Sequence, residues 1–275
     1  MLFTRPPDWL LYGVATATLA VIALAARERA DAPPAPPPMP GAGAALTAGP
    51  SLVSAAVRLL PATDREGAAG TAFSVSETGV WITARRVVEG CRRAAVLVGT
   101  HRGVLAKVFT DPSSDLAVLT TEGGAAPLRL ATDAPLDEGQ PAFQPGYPRG
   151  GPGEAAARFQ GRDVLRAWTR DAPRQGVLVW AETGRTEGMS GGLDGLAGAP
   201  VLDGTGQVVG VTLAEAPRRG RIYSTSAKAI RAILAEAGQT PSALGQGMTL
   251  STDTYGRAAD DLRRNLRVAQ AACID

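Results

Sequence analysis

The sequence predicts an all-β head, and three observations carry that expectation. From Gly70 onward apolar and polar residues alternate with a period of two. Turn-forming residues interrupt the alternation at spacings of about ten residues. No strand–helix–strand repeat separates the runs, so barrels or sandwiches are favoured over βαβ units.

The chain has three unlike parts before its tail. Residues 9–26, "WLLYGVATATLAVIALAA", form an uncharged run of eighteen between Asp8 and Arg27. At 1.5 Å per residue such a run crosses a bilayer core. Residues 1–30 are therefore expected to be a membrane anchor, or an export signal cut after Ala25 at the A-x-A step Ala23-Leu24-Ala25. Arginines lie on both sides (Arg5, then Arg27 and Arg29), so the positive-inside rule assigns no orientation by itself. Residues 31–50, "DAPPAPPPMPGAGAALTAGP", lack apolar bulk, and their prolines favour an extended polyproline II spacer. The folded head follows.

Within the head, "GTAFSV", "SETG" and "VWIT" read as a hairpin with Phe73 and Val75 on one face. "AAVLVG", "THRG" and "VLAKVF" read as another, followed by "DPSSDLAVL". Beyond the loop "TEGGAA" a second set of strands is expected in "PLRLA", "PAFQPGYP", "DVLRAW", "GVLVWAE", "QVVGVTLAEA" and "RIYST". Residues 226–238 then switch to helical spacing, with Ser226 as N-cap, Ile230, Ile233, Leu234 and Ala237 on one face, and Gly238 as the stop. Residues 254–266 form a second amphipathic helix, and the tail "RVAQAACID" returns to a strand.

Composition narrows the function classes. The 28 Lys and Arg are nearly balanced by 26 Asp and Glu, giving a net charge of +2. That is no basic field for nucleic acid, and the local clusters at 85–93 and 218–221 read as solvated loops. Two cysteines and one histidine are poor material for a metal site, so no metal and no cofactor are expected. Cys91 and Cys273 either pair as a disulfide, which suits an exported head, or remain two buried thiols.

Three landmarks, in order, carry a resemblance. They are "GTAFSVSETGVWITARRVVEG" at 70–90, "DPSSDLAVL" at 111–119 and "GLAGAPVLDGTGQVVGV" at 195–211. They resemble the catalytic histidine, aspartate and serine segments of the trypsin- and chymotrypsin-like serine proteases, specifically the bacterial HtrA-type branch. The resemblance spans about residues 68–240. It implies two six-stranded antiparallel barrels packed face to face, within 51–122 and 123–225 of a head at 51–245, and a site in the cleft between them. Residues 246–275 are then a C-terminal helix and tail, with no room for a PDZ module after Leu234. Leu196 stands where zymogen-activated trypsins carry an aspartate, so that activation switch is not expected.

Carried over residue by residue, the chemistry is degenerate. Arg86 occupies the histidine position, Asp115 the aspartate position and Ala197 the serine position. A guanidinium stays protonated and accepts no proton, so Arg86 cannot serve as the general base. Ala197 has no hydroxyl. Loss of such a triad removes about 10⁶ in kcat. Backbone donors at Gly195 and Ala197 are left as an oxyanion-type nest.

Two residues are alternatives to the missing groups. Ser190 in "GMSGG" is either a displaced nucleophile or a loop serine; it lies seven residues before Ala197, and no proline follows it at the matching place. His101, in a hairpin tip, reads as a surface turn residue. Gly191 falls at the floor of the expected specificity pocket, so no acidic floor is expected.

The function expected is a catalytically inactive protease homologue that binds a protein or peptide partner by strand addition or serves as a complex subunit. It would be tethered as a single-pass protein of the inner membrane with its head in the periplasm. An active endopeptidase using Ser190 is the alternative.

Overall fold

The computed structural model describes residues 57–58, 69–99, 102–165, 175–187, 189, 192–216, 220–243 and 247–274. The run at 9–26, the spacer at 31–50, His101, Ser190 and Gly191 lie outside the described residues. No described helix is long and apolar enough to cross a membrane.

The elements in chain order begin with β1 (Val57–Arg58), β2 (Ala69–Ser76) and β3 (Val80–Ala84), followed by the single-turn helix α1 (Arg85–Val88). Then come β4 (Arg93–Gly99), β5 (Arg102–Thr110) and β6 (Leu116–Thr121). The second half holds β7 (Pro141–Gly146), a 3₁₀ turn at Pro148–Gly150, β8 (Gly153–Leu165), β9 (Gln175–Arg185), β10 (Pro200–Leu202), β11 (Val208–Ala216) and β12 (Arg221–Ser224). The chain finishes with α2 (Ala227–Glu236), α3 (Tyr255–Arg264) and β13 (Val268–Ile274).

Two six-stranded antiparallel barrels result. In the second, the order β10-β11-β12-β9-β8-β7 closes on itself. In the first, β2 pairs with β3, β3 with β6, β6 with β5 and β5 with β4. The ring is completed by β13, which lies between β4 and β2. Ala271 faces Val96 on one side and Gly70 on the other. β1 adds outside the ring, against the start of β5.

The tail strand therefore belongs to the first barrel rather than to a separate C-terminal extension. Ala269 and Ala271 are fully buried, as expected of a central strand with partners on both sides. Beside it, Cys91 and Cys273 form a disulfide with Cα atoms 5.2 Å apart. The remaining C-terminal elements follow expectation. Ser226 caps α2 by accepting the Ala229 N–H, and Ile230, Ile233 and Leu234 are buried.

Two strand expectations are modified. "PLRLA" forms no regular strand: it makes a parallel bridge, Leu130 to Val208, and its Leu128 N–H bonds the Ser74 carbonyl at 2.8 Å, while Pro127 has no N–H to give. Of "DVLRAW", Asp163 to Leu165 continue β8, which passes a register shift at Gly161 (φ 144°), and residues 166–168 lie outside the described residues.

Each barrel is organised around a buried tryptophan whose N–H is satisfied. Trp81 donates to Thr121 Oγ1 at 2.9 Å and Trp180 to Ser224 Oγ at 2.8 Å. A charged knot ties α3 to the second barrel: Arg263, buried, donates to Glu154 at 2.9 Å and to Asp260 at 2.7 Å. Its other amine reaches the carbonyl of Gly153 at 3.1 Å. Burial outweighs the pull of Arg263 on Glu154 and raises its pKa, and burial pushes the nearby Tyr147 up to about 12.

Candidate functional site

The site grows from a loop between the barrels. Residues 192–199 leave β9 and turn twice before β10, with Leu196 N–H bonded to the Leu193 carbonyl and Ala199 N–H to that of Leu196, each at 2.9 Å. Both turns need glycine. Gly195 has φ 91° and Gly198 φ 87°, and a Cβ on Gly198 would stand 2.0 Å from the Thr71 carbonyl. The loop is then fastened on both sides. Thr71 N–H donates to the Ala197 carbonyl at 2.8 Å and its hydroxyl to the Gly195 carbonyl at 2.9 Å. From the second barrel, Gly198 N–H reaches the Thr212 carbonyl at 2.8 Å.

α1 delivers the facing residues. Val87 and Val88 are buried, which turns the side chain of Arg86 toward the loop. Arg86 is exposed to solvent overall, yet partial burial of its guanidinium pulls its pKa below the ordinary value, opposed by the charges of Asp115 and Asp194. It remains a cation, and it feels both carboxylates.

Asp115 makes its ion pair elsewhere. Arg85, not Arg86, approaches its Oδ1, at 3.9 Å, while the Arg85 N–H donates to the Asp115 carbonyl at 2.7 Å. Arg85 also donates to the Pro112 carbonyl at 3.0 Å and lies 3.8 Å from Glu89. With the Asp115 side chain 42% exposed, the pair is worth little, about 0–1 kcal/mol.

The structure thus brings Arg86, Gly195 and Ala197 around a cavity of about 330 Å³, lined by Arg86, Val87, the 193–197 loop, Thr212, Ala214, Glu215 and Ile222. Asp115 stands outside that lining and acts on it through the charge of Arg86. Ala197 is 8% exposed and forms part of that lining. Among the described residues no backbone carbonyl takes up the N–H of Gly195 or of Ala197.

Glu215 is the residue that sequence reasoning missed. Its Oε1 accepts the Leu193 N–H at 2.6 Å, and a Cβ on Gly192 would lie 2.7 Å from that oxygen. Its Oε2 is buried with no hydrogen-bond partner. Burial raises its pKa; the Leu193 hydrogen bond opposes that, and Asp194 adds to it. The absence of acid expected from Gly191 is offset, because carboxylates reach the cavity from β11 and from Asp194. The available signal was "LAEA", an acid at the end of an otherwise apolar strand beside the loop.

Among the described residues, no group of three or more His, Cys, Asp or Glu is placed to hold a metal.

The sequence matches the family model of the trypsin-like peptidase domain over residues 70–211. No curated protein matches it. Among solved structures it is similar to Rv3671c protease in its inactive form, with 26% identity over 62% of this chain and 83% of that one and a TM-score of 0.52. It is also similar to the active form of Rv3671c protease from M. tuberculosis, with 24% identity, 67% and 77% coverage and a TM-score of 0.53.

Proposed function

Because the chain belongs to the trypsin-like peptidase family, we propose that it is a catalytically silent member whose cleft binds an extended protein or peptide segment without cutting it. Residues 9–26 would hold it at the inner membrane, with the head in the periplasm as a binding module or complex subunit.

The observation that carries this reading is the pairing of Ala197 with Arg86 across one cavity. A methyl group stands where the attacking oxygen is required, and a cation where a proton acceptor is required. Asp115 and the nest at Gly195 and Ala197 cannot replace either. The loop nonetheless keeps its two glycine turns and its fastening to Thr71, so a cleft suited to strand addition persists without chemistry.

The experiment is gain of function. The native full-length protein is incubated with unfolded casein and with a fluorophosphonate probe, beside the variant Arg86→His/Ala197→Ser. The native chain is expected to bind peptide without turnover or labelling, and the double variant to acquire labelling at the new serine. Native hydrolysis that disappears in Ser190→Ala would overturn the reading in favour of the displaced nucleophile.

A further inference from the structure

Large apolar side chains left in water are few among the described residues, and they cluster. Leu105 (43% exposed), Val108 (41%) and Phe109 (38%) all lie on β5, and Val164 is the fourth. Apolar residues exposed singly are ordinary, whereas three on one strand mark a contact surface. Beside Leu105 and Val108 lies a groove of about 700 Å³, built from the start of β4, from β5 and from the end of β6. Arg92, Arg93 and Lys107 border it, all exposed, and among its described residues Glu122 is the single acid.

The backbone of β5 offers no free edge to a partner strand. β4 bonds it along one side, and β6 and β1 share the other. A partner must therefore meet side chains. Lysine is depleted from protein–protein contacts, whereas basic residues set among apolar ones are the composition of a surface that lies on lipid. The chain also brings lipid near. β1 lies against the start of β5, so residues 27–56 leave the head beside this face. Fully extended, a segment of that length spans at most about 100 Å, and a patch so confined engages with little intrinsic affinity.

We propose that this face of β5 docks on an anionic bilayer surface, with Leu105, Val108 and Phe109 entering the headgroup layer and Arg92 and Lys107 meeting lipid phosphates. The inference rests on the reading of residues 9–26 as a membrane anchor. The aliphatic stems of Arg92 and Lys107 cover apolar surface while their cationic ends reach the phosphates, an attraction that salt screens.

The test uses the full-length protein with Thr110→Cys, an exposed position next to Phe109, labelled with NBD; the native cysteines are paired and take no label. The protein is reconstituted in nanodiscs of phosphatidylcholine, with or without phosphatidylglycerol. In the anionic discs NBD emission is expected to shift to the blue and to be quenched at least two-fold by spin-labelled lipid. Arg92→Glu/Lys107→Glu should abolish both effects, as should Leu105→Ser/Phe109→Ser, with thermal unfolding checking that each variant folds. Incorporation into both discs with the label left in water overturns the docking and leaves the anchor standing. An equal response in both discs, unmoved by the charge variant, overturns it as well. A protein that enters no disc removes the anchor; quenching by added anionic vesicles then still supports the surface, and its absence overturns it. A label buried without lipid, with the mass doubled in light scattering, overturns the proposal in favour of self-association.

Discussion

The carbonyl of Ala197 accepts the backbone N–H of Thr71 at 2.8 Å, so the loop at the cleft is pinned to the first barrel although its chain belongs to the second. Gly198 makes this approach possible, its α-hydrogen lying where any Cβ would meet the Thr71 carbonyl. Gly198→Ala is expected to destabilise the protein by more than about 2 kcal/mol, since a left-handed φ and a backbone clash act together. Chemical denaturation measures the loss. Gly90→Ala, where nothing lies within 4 Å of the added carbon, is the control for the φ cost alone.

The Glu215 carboxyl has a pH signature. Its pKa is raised above the ordinary 4.5 by burial, with Asp194 and Glu182 adding to the effect and the Leu193 N–H and Arg185 opposing it. The folded state therefore holds its proton more tightly than the unfolded chain, and the resulting stability is present below the unfolded pKa and lost as pH rises through the folded one. Relative to Glu215→Gln, the native protein should lose stability with rising pH in that window, as read by denaturant unfolding at a series of pH values.

Arg263 is a buried cation with two acidic partners, Glu154 and Asp260. Removing it leaves the fully buried Glu154 without its cation, while Asp260 keeps Arg264 at 3.8 Å, so Arg263→Met is expected to cost about 3–5 kcal/mol by denaturant unfolding. Glu154 also sets a slope. Its folded pKa is raised, so the folded state holds that proton more tightly than the unfolded chain. The resulting stability is present below the unfolded pKa and is lost as pH rises through the folded one. Relative to Glu154→Gln, the native protein should therefore lose stability with rising pH in that window.

The disulfide closes a separation of 182 residues. Chain entropy for such a loop amounts to about 5 kcal/mol, and measured losses are typically about 2–5 kcal/mol. Cys91→Ser/Cys273→Ser is expected to fall in that range by thermal unfolding. A truncation after Leu266 should be worse, because it also removes the pairings of β13 with β2 and β4.

Period-two alternation and turn residues made most strands legible, as did the Ser226 cap for α2. The three landmark segments located Arg86, Asp115 and Ala197 because each follows or precedes a strand of recognisable pattern. Less was readable where position depends on distant partners. "VAQAACI" is rich in alanine and short, and only its fit between β2 and β4 fixes where it goes. Choosing Arg85 over Arg86 for the ion pair with Asp115 depends on side-chain direction in a four-residue helix. Glu215 ends an apolar strand, and only the fold of the 193–197 loop beside it makes it part of a cavity.

The strand that seals the N-terminal barrel is β13, and this sets an order of assembly. While the polypeptide is being made, residues 69–121 must wait with a slot open between β2 and β4 until 268–274 emerge. The C-terminal barrel has all its strands by residue 224, fifty residues before 274. Completion thus runs opposite to synthesis, and a chaperone guarding the nascent chain would have to shield its earlier half for longer than its later one.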